Sequence, residues 1–114
     1  MAIAIATDQD IQIALEELGL WTIAEGKLHR EYRFRDFVQA FGFMTEVALL
    51  AERADHHPEW FNIYNRVVVN LTTHEAGGIT ERDIELARDM ETHRGNKPCY
   101  GSRDVLLRKQ SRPL

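Results

Sequence analysis

One stretch constrains this chain more than any other. Between residues 36 and 54, Phe37, Ala40, Phe41, Met44, Val47, Ala48 and Ala51 recur at the three- and four-residue spacing of a helix. His56-His57-Pro58 then stops it, because proline biases the residue before it towards extended geometry. A helix with so continuous an apolar stripe needs a broad surface to pack on. Phe43 and Leu50 widen the stripe beyond what a single sheet face requires, so either a large core contact or a subunit interface is expected of it.

The flanking segments supply that surface. Thr7 with Asp10 three residues later has the pattern of a helix cap, Ile11, Leu15 and Leu18 follow at helical spacing, and Gly19 is a stop signal. Trp21 and Ile23 alternate, Glu25-Gly26-Lys27 reads as a turn, and Leu28, Arg30, Tyr32 and Phe34 then share one strand face. His29, Glu31 and Arg33 share the other, which makes His29 an ordinary solvent-facing residue. After Pro58, Phe61 and Ile63 oppose Trp60, Asn62 and Tyr64 in a third strand. A turn near Asn65-Arg66 leads to a fourth, with Val67, Val69 and Leu71 on one side. Thr80 caps a last helix carrying Ile84, Leu86, Ala87 and Met90. The expectation is an α+β fold, order α-β-β-α-β-β-α, with a four-stranded antiparallel sheet and three helices packed on one face.

With 114 residues the chain has room for one domain, expected over residues 1–94. Residues 95–114 change character: Gly95, Pro98, Gly101 and Pro113 punctuate them and Arg103, Arg108, Lys109 and Arg112 make them basic, so a tail is expected there. A hydrophobic share of 44% excludes disorder as the default, and a net charge of −4 argues against broad nucleic-acid binding. The single Cys99 allows no internal disulfide and suits a reducing compartment. The apolar run Ala2 to Ala6 is too short for a signal core or a spanning helix, so a soluble cytoplasmic protein is expected, with no membrane partner.

Five histidines remain to be explained. His56 and His57 lie between a helix end and a strand start, and His74 ends the fourth strand; such junctions of an antiparallel sheet can meet at one edge. Imidazole titrates nearest neutrality, so a pair can act as acid and base. Other readings stand beside this one. Adjacent residues in extended chain point in opposite directions, so His56 and His57 enter one pocket only across a kink. Asp83, third after a Thr cap, stabilises a helix start by about 0.5–1 kcal/mol with no catalytic duty. Arg82 fits a solvated charge, and Gly77-Gly78 a tight turn. A zinc site from the three histidines with Glu52 or Asp83 is the weaker idea, because the histidines lack helical i, i+4 spacing.

The run from Glu52 through Ala54-Asp55-His56-His57-Pro58-Glu59-Trp60-Phe61-Asn62 to Val67 resembles the signature of the pterin-4a-carbinolamine dehydratases, as does Leu71-Thr72-Thr73-His74-Glu75-Ala76-Gly77-Gly78 through Ile84. The likeness runs colinearly over roughly residues 7–94. It implies the same α+β fold, a homodimer or homotetramer, and no metal or organic cofactor. It also implies the dehydration of 4a-hydroxytetrahydrobiopterin to quinonoid dihydropterin and water, which recycles the pterin of aromatic amino-acid hydroxylases. Carried over by motif, His57 and His74 are the acid–base groups, His56 binds and orients the pterin, Asp83 fixes an imidazole, and Pro58 and Arg82 line the pocket. Glu52 and Trp60 contribute to its rim. The competing role, by the same analogy, is binding without catalysis: some animal members act as dimerisation cofactors of homeodomain transcription factors.

Overall fold

A computed structural model describes residues 3–95. Of the expected tail, Gly95 belongs to the last helix and residues 96–114, Cys99 included, lie outside the described residues. The elements are α1 (Asp8–Leu18), β1 (Thr22–Ala24), β2 (Lys27–Arg33), α2 (Phe37–Ala54), β3 (Glu59–Ile63), β4 (Arg66–Leu71) and α3 (Glu81–Gly95). This is the α+β order read from the sequence. The strands form one antiparallel sheet in the order β1-β2-β4-β3. The two hairpins β1–β2 and β3–β4 therefore meet at their second strands, and α2 is the connection that lets them do so.

Each boundary has a local cause. Thr7 and Asp10 close a reciprocal capping box on α1, which ends at Gly19 with φ 68°. Glu25 and Gly26 both take positive φ in the two-residue turn between β1 and β2, a twist that suits a tight hairpin. The side chain of Asp36 accepts from the Gln39 amide and starts α2.

The core lies between the sheet and the helices. Leu28 and Tyr32 of β2 and Val67, Val69 and Leu71 of β4 present one face to Ala14 and Leu18 of α1, Phe43 and Val47 of α2, and Ile84, Leu86, Ala87 and Met90 of α3. Arg30 lies among them and is buried because its charge is met: Glu91 Oε2 accepts from Arg30 Nε at 3.0 Å, Trp21 Nε1 at 3.0 Å and Tyr32 Oη at 2.6 Å. Burial first, and then the Glu91 carboxylate, push the Tyr32 phenol well above its ordinary range, so it remains a donor.

One stripe assignment changes in three dimensions, and one left open is decided. On α2 the core side is Ala40, Phe43, Val47 and Ala51, whereas Phe37, Phe41 and Ala48 of the expected stripe are exposed. Apolar residues lie on nearly all sides of this helix, so periodicity alone could not choose which side meets the sheet. On β3 the apolar pair Phe61 and Ile63 faces out and Trp60 packs against the core. Its register against β4, Trp60 to Val69 and Phe61 to Val68, decides this, because β4 must turn Val67, Val69 and Leu71 inward.

Candidate active site

The junction after α2 is a Schellman cap. Asp55 takes the left-handed conformation (φ 54°, ψ 42°), its amide donates to the Glu52 carbonyl at 3.2 Å, and the His56 amide donates to the Ala51 carbonyl at 3.1 Å. Aspartate tolerates that conformation better than most residues, which is how the helix ends without glycine. The cap fixes the backbone of His56 as the chain turns into β3, and the next two side chains diverge. His56 enters the protein and is 8% exposed; His57 leaves it.

His56 meets Asp83. Its Nε2 lies 2.6 Å from Asp83 Oδ1, and Asp83 is fully buried at the start of α3. The other carboxylate oxygen, Oδ2, accepts from the Thr80 amide at 2.9 Å and the Thr73 hydroxyl at 2.8 Å. The Thr80 hydroxyl accepts from the Arg82 amide and lies 2.7 Å from Thr73 Oγ1. Since the Thr73 proton is committed to Asp83, the Thr80 hydroxyl donates in that contact. Asp83 is thus both a helix-capping acid and the anchor of an imidazole, two readings that the sequence set against each other.

His57 and His74 have carboxylate partners nearer the surface. His57 Nε2 lies 3.0 Å from Glu52 Oε1, one turn back on α2. His74 sits in the loop after β4, where Thr73 closes a bridge to Gly78 and Gly77 takes φ 78°, a conformation that favours glycine. Its Nε2 lies 2.9 Å from Glu59 Oε2, and Glu59 Oε1 accepts from Lys27 Nζ at 2.6 Å. The Lys27 hydrogen bond, and then that of His74, hold the Glu59 carboxyl below its ordinary value.

A carboxylate can only accept, so each of the three imidazoles donates from Nε2 and, when neutral, carries its lone pair on Nδ1. His29 and His93 use Nδ1 instead, His29 towards Asn70, which pairs with Glu59 across the sheet, and His93 towards Glu46. An open cleft of about 410 Å³ joins the set: Asp55, His56, His57, Pro58, Glu59, Thr72, His74 and Glu75 line it. Its volume falls in the range of small-molecule sites.

Of the residues expected from sequence, His56, His57, Pro58 and His74 line this cleft, Asp83 lies behind His56, and Glu52 reaches it through His57. Trp60 and Arg82 are not among its lining residues: Trp60 packs against the core and the Arg82 side chain is exposed on the first turn of α3. Glu59 and Lys27 escaped the sequence reading. Glu59 had a signal, since it lies two residues after His57 in extended chain and so on the same side; Lys27, distant in sequence, had none. Among the described residues no three of His, Cys, Asp and Glu converge to hold a metal ion, and no helix is long and apolar enough to cross a membrane.

Known proteins share this arrangement of sequence and fold. Residues 4–93 match the family described as pterin 4 alpha carbinolamine dehydratase. A protein of Solibacter usitatus named as a pterin-4-alpha-carbinolamine dehydratase is 58% identical over 85 residues, 75% of this chain and 90% of its own length. One of the same name from Novosphingobium aromaticivorans is 53% identical over 94 residues, 81% and 98% of the two chains. The crystal structure of a transcriptional coactivator/pterin dehydratase from Brucella melitensis superposes with a TM-score of 0.75 at 47% identity, covering 78% of this chain and 97% of that one. The match spans every element from α1 to α3, and the chain belongs to the pterin-4a-carbinolamine dehydratase family.

Proposed function

We propose that this chain dehydrates a 4a-hydroxytetrahydropterin, 4a-hydroxytetrahydrobiopterin being the expected substrate, to quinonoid dihydropterin and water. The observation that carries this reading is the cleft in which three imidazoles each hold a carboxylate through Nε2. The elimination breaks the bond from C4a to the hydroxyl oxygen, which leaves as water once protonated. The neighbouring ring nitrogen loses its proton, and its electron pair forms the new double bond to C4a. One group must give a proton and another take one, near neutral pH; imidazole does both. His57 and His74, the exposed pair, divide these transfers. His56, held from behind by Asp83, binds and orients the pterin, with Pro58 forming part of the wall. No metal or organic cofactor enters this scheme.

The role that follows is recycling of tetrahydrobiopterin in the cytoplasm, by a homo-oligomer. Self-association is supported by the exposed apolar side of α2, where Phe37, Val38, Phe41 and Leu49 lie, and by β3, an edge strand with Phe61 and Ile63 facing out. The same surfaces, with the coactivator named for the Brucella protein, favour a second reading in which the chain binds a transcription factor. Stopped-flow absorbance with freshly generated carbinolamine separates the two. Dehydration well above the uncatalysed rate is expected, and its absence would leave the binding role alone.

A further inference from the structure

The three histidines of the cleft are not held equally. Glu52, the partner of His57, is a solvated helix residue with no second tether among the described residues. Glu59, the partner of His74, is gripped from its other side by Lys27. Lys27 opens β2 and Glu59 opens β3, and these strands flank β4 on opposite sides. The ion pair therefore spans the sheet across β4, on the face away from the helices, and ends at the loop that carries His74. An exposed imidazole (His74 side chain 78% accessible) would otherwise sample several rotamers and both tautomers.

We infer that Lys27 and Glu59 are positioning residues that fix His74 as the Nε2–H tautomer, and so make its Nδ1 the atom that takes the proton from the pterin ring nitrogen. Glu59 accepts from Nε2–H and so leaves Nδ1 as the basic nitrogen. When Nδ1 takes the proton, the imidazolium forms beside a carboxylate already in place, with no reorganisation needed to meet it. Lys27 keeps that carboxylate oriented and ionised. Neither residue touches the reacting atoms; both act through His74. The base assignment rests on the proposed dehydration, whereas the tautomer assignment does not.

The test uses the full-length protein with 15N-labelled histidine. In the wild type, the ring-nitrogen shifts of neutral His74 should report a single Nε2–H tautomer. Glu59→Gln can present either a carbonyl or an amide to Nε2 and should give a mixture of tautomers, with kcat lowered about tenfold and KM little changed. Lys27→Met should move both readouts in the same direction by less. In the His74→Ala background, Glu59→Gln should cost no further rate, because the two residues act as one unit. A single Nε2–H tautomer retained in Glu59→Gln with unchanged kcat overturns the inference, and so does an equal rate loss from Glu59→Gln with and without His74. A wild type with no dehydratase activity would instead defeat the functional reading, and the tautomer measurement would still decide the positioning role.

Discussion

The Nε2 atom of His56 and the Oδ1 atom of Asp83 lie 2.6 Å apart, with both side chains buried and their residues 27 positions apart in sequence. That contact ties the end of α2 to the start of α3 and fixes which imidazole nitrogen bears hydrogen. Asp83→Asn tests it with little change of shape. The asparagine oxygen must stay on the side of the Thr80 amide and the Thr73 hydroxyl, so its NH2 group faces His56. His56 Nε2 must then accept, which moves the ring proton to Nδ1. We expect a folded protein that loses about 1–3 kcal/mol of stability, read from urea midpoints, and at least about tenfold of its turnover. Wild-type turnover in this variant would show that the orientation of His56 is irrelevant to the reaction.

His57 and His74 should behave differently from His56. Both are exposed and contribute little to packing, so alanine at either position should change the stability read from urea unfolding by no more than about 0.5 kcal/mol. Each should nevertheless slow dehydration by about 10²- to 10⁴-fold, the usual contribution of a positioned acid or base. Full activity in both variants would remove them from the proton transfers.

The Lys27–Glu59–His74 chain has a defined pH window. Hydrogen bonds from Lys27 and then His74 depress the Glu59 carboxyl below its ordinary value of 4.5. A depressed acid stabilises the fold fully above its unfolded value, and that contribution disappears as pH falls through the lower, folded one. Glu59 is well exposed, so solvent screening keeps the amount small. The stability difference between wild type and Glu59→Gln should therefore be present at pH 5 to 6 and shrink as the pH is lowered below 4.5. Paired denaturation curves from pH 3 to pH 8 check this; a gap that widens on acidification contradicts it.

How much of this was legible in the sequence depended on whether a signal was local. Caps and turns were: Thr7 with Asp10, Gly19, and the Glu25-Gly26 turn each act within a few residues, and the element order followed from them. The divergence of His56 and His57 was also implicit in two-residue strand periodicity. The side of α2 that meets the sheet was not, because Phe37, Phe41 and Phe43 are chemically alike and only tertiary packing distinguishes them. The same holds for Lys27 and Glu59, which are unremarkable charges until the order β2-β4-β3 brings them together across a strand. Arg82 and Trp60 show the converse: proximity in sequence to site residues did not put them on the cleft.

The two faces of α2 yield the last prediction. Phe43 is fully buried, with its ring centroid 4.7 Å from that of Tyr32 and 5.1 Å from that of Phe34, so Phe43→Ala should cost about 3–5 kcal/mol. Phe41, two residues earlier, is 56% exposed and its ring meets that of Phe37 in a tilted contact at 5.8 Å. In an isolated chain, Phe41→Glu would change stability by about 0.5 kcal/mol at most. If the apolar side of α2 instead lies between copies of this chain, the substitution places a carboxylate in a desolvated contact. Light scattering should then record an oligomer for the wild type and a smaller species for Phe41→Glu, with the circular dichroism of the helices unchanged. Equal masses for the two proteins would move the interface elsewhere, with the outward face and open edge of β3 the next surface to substitute.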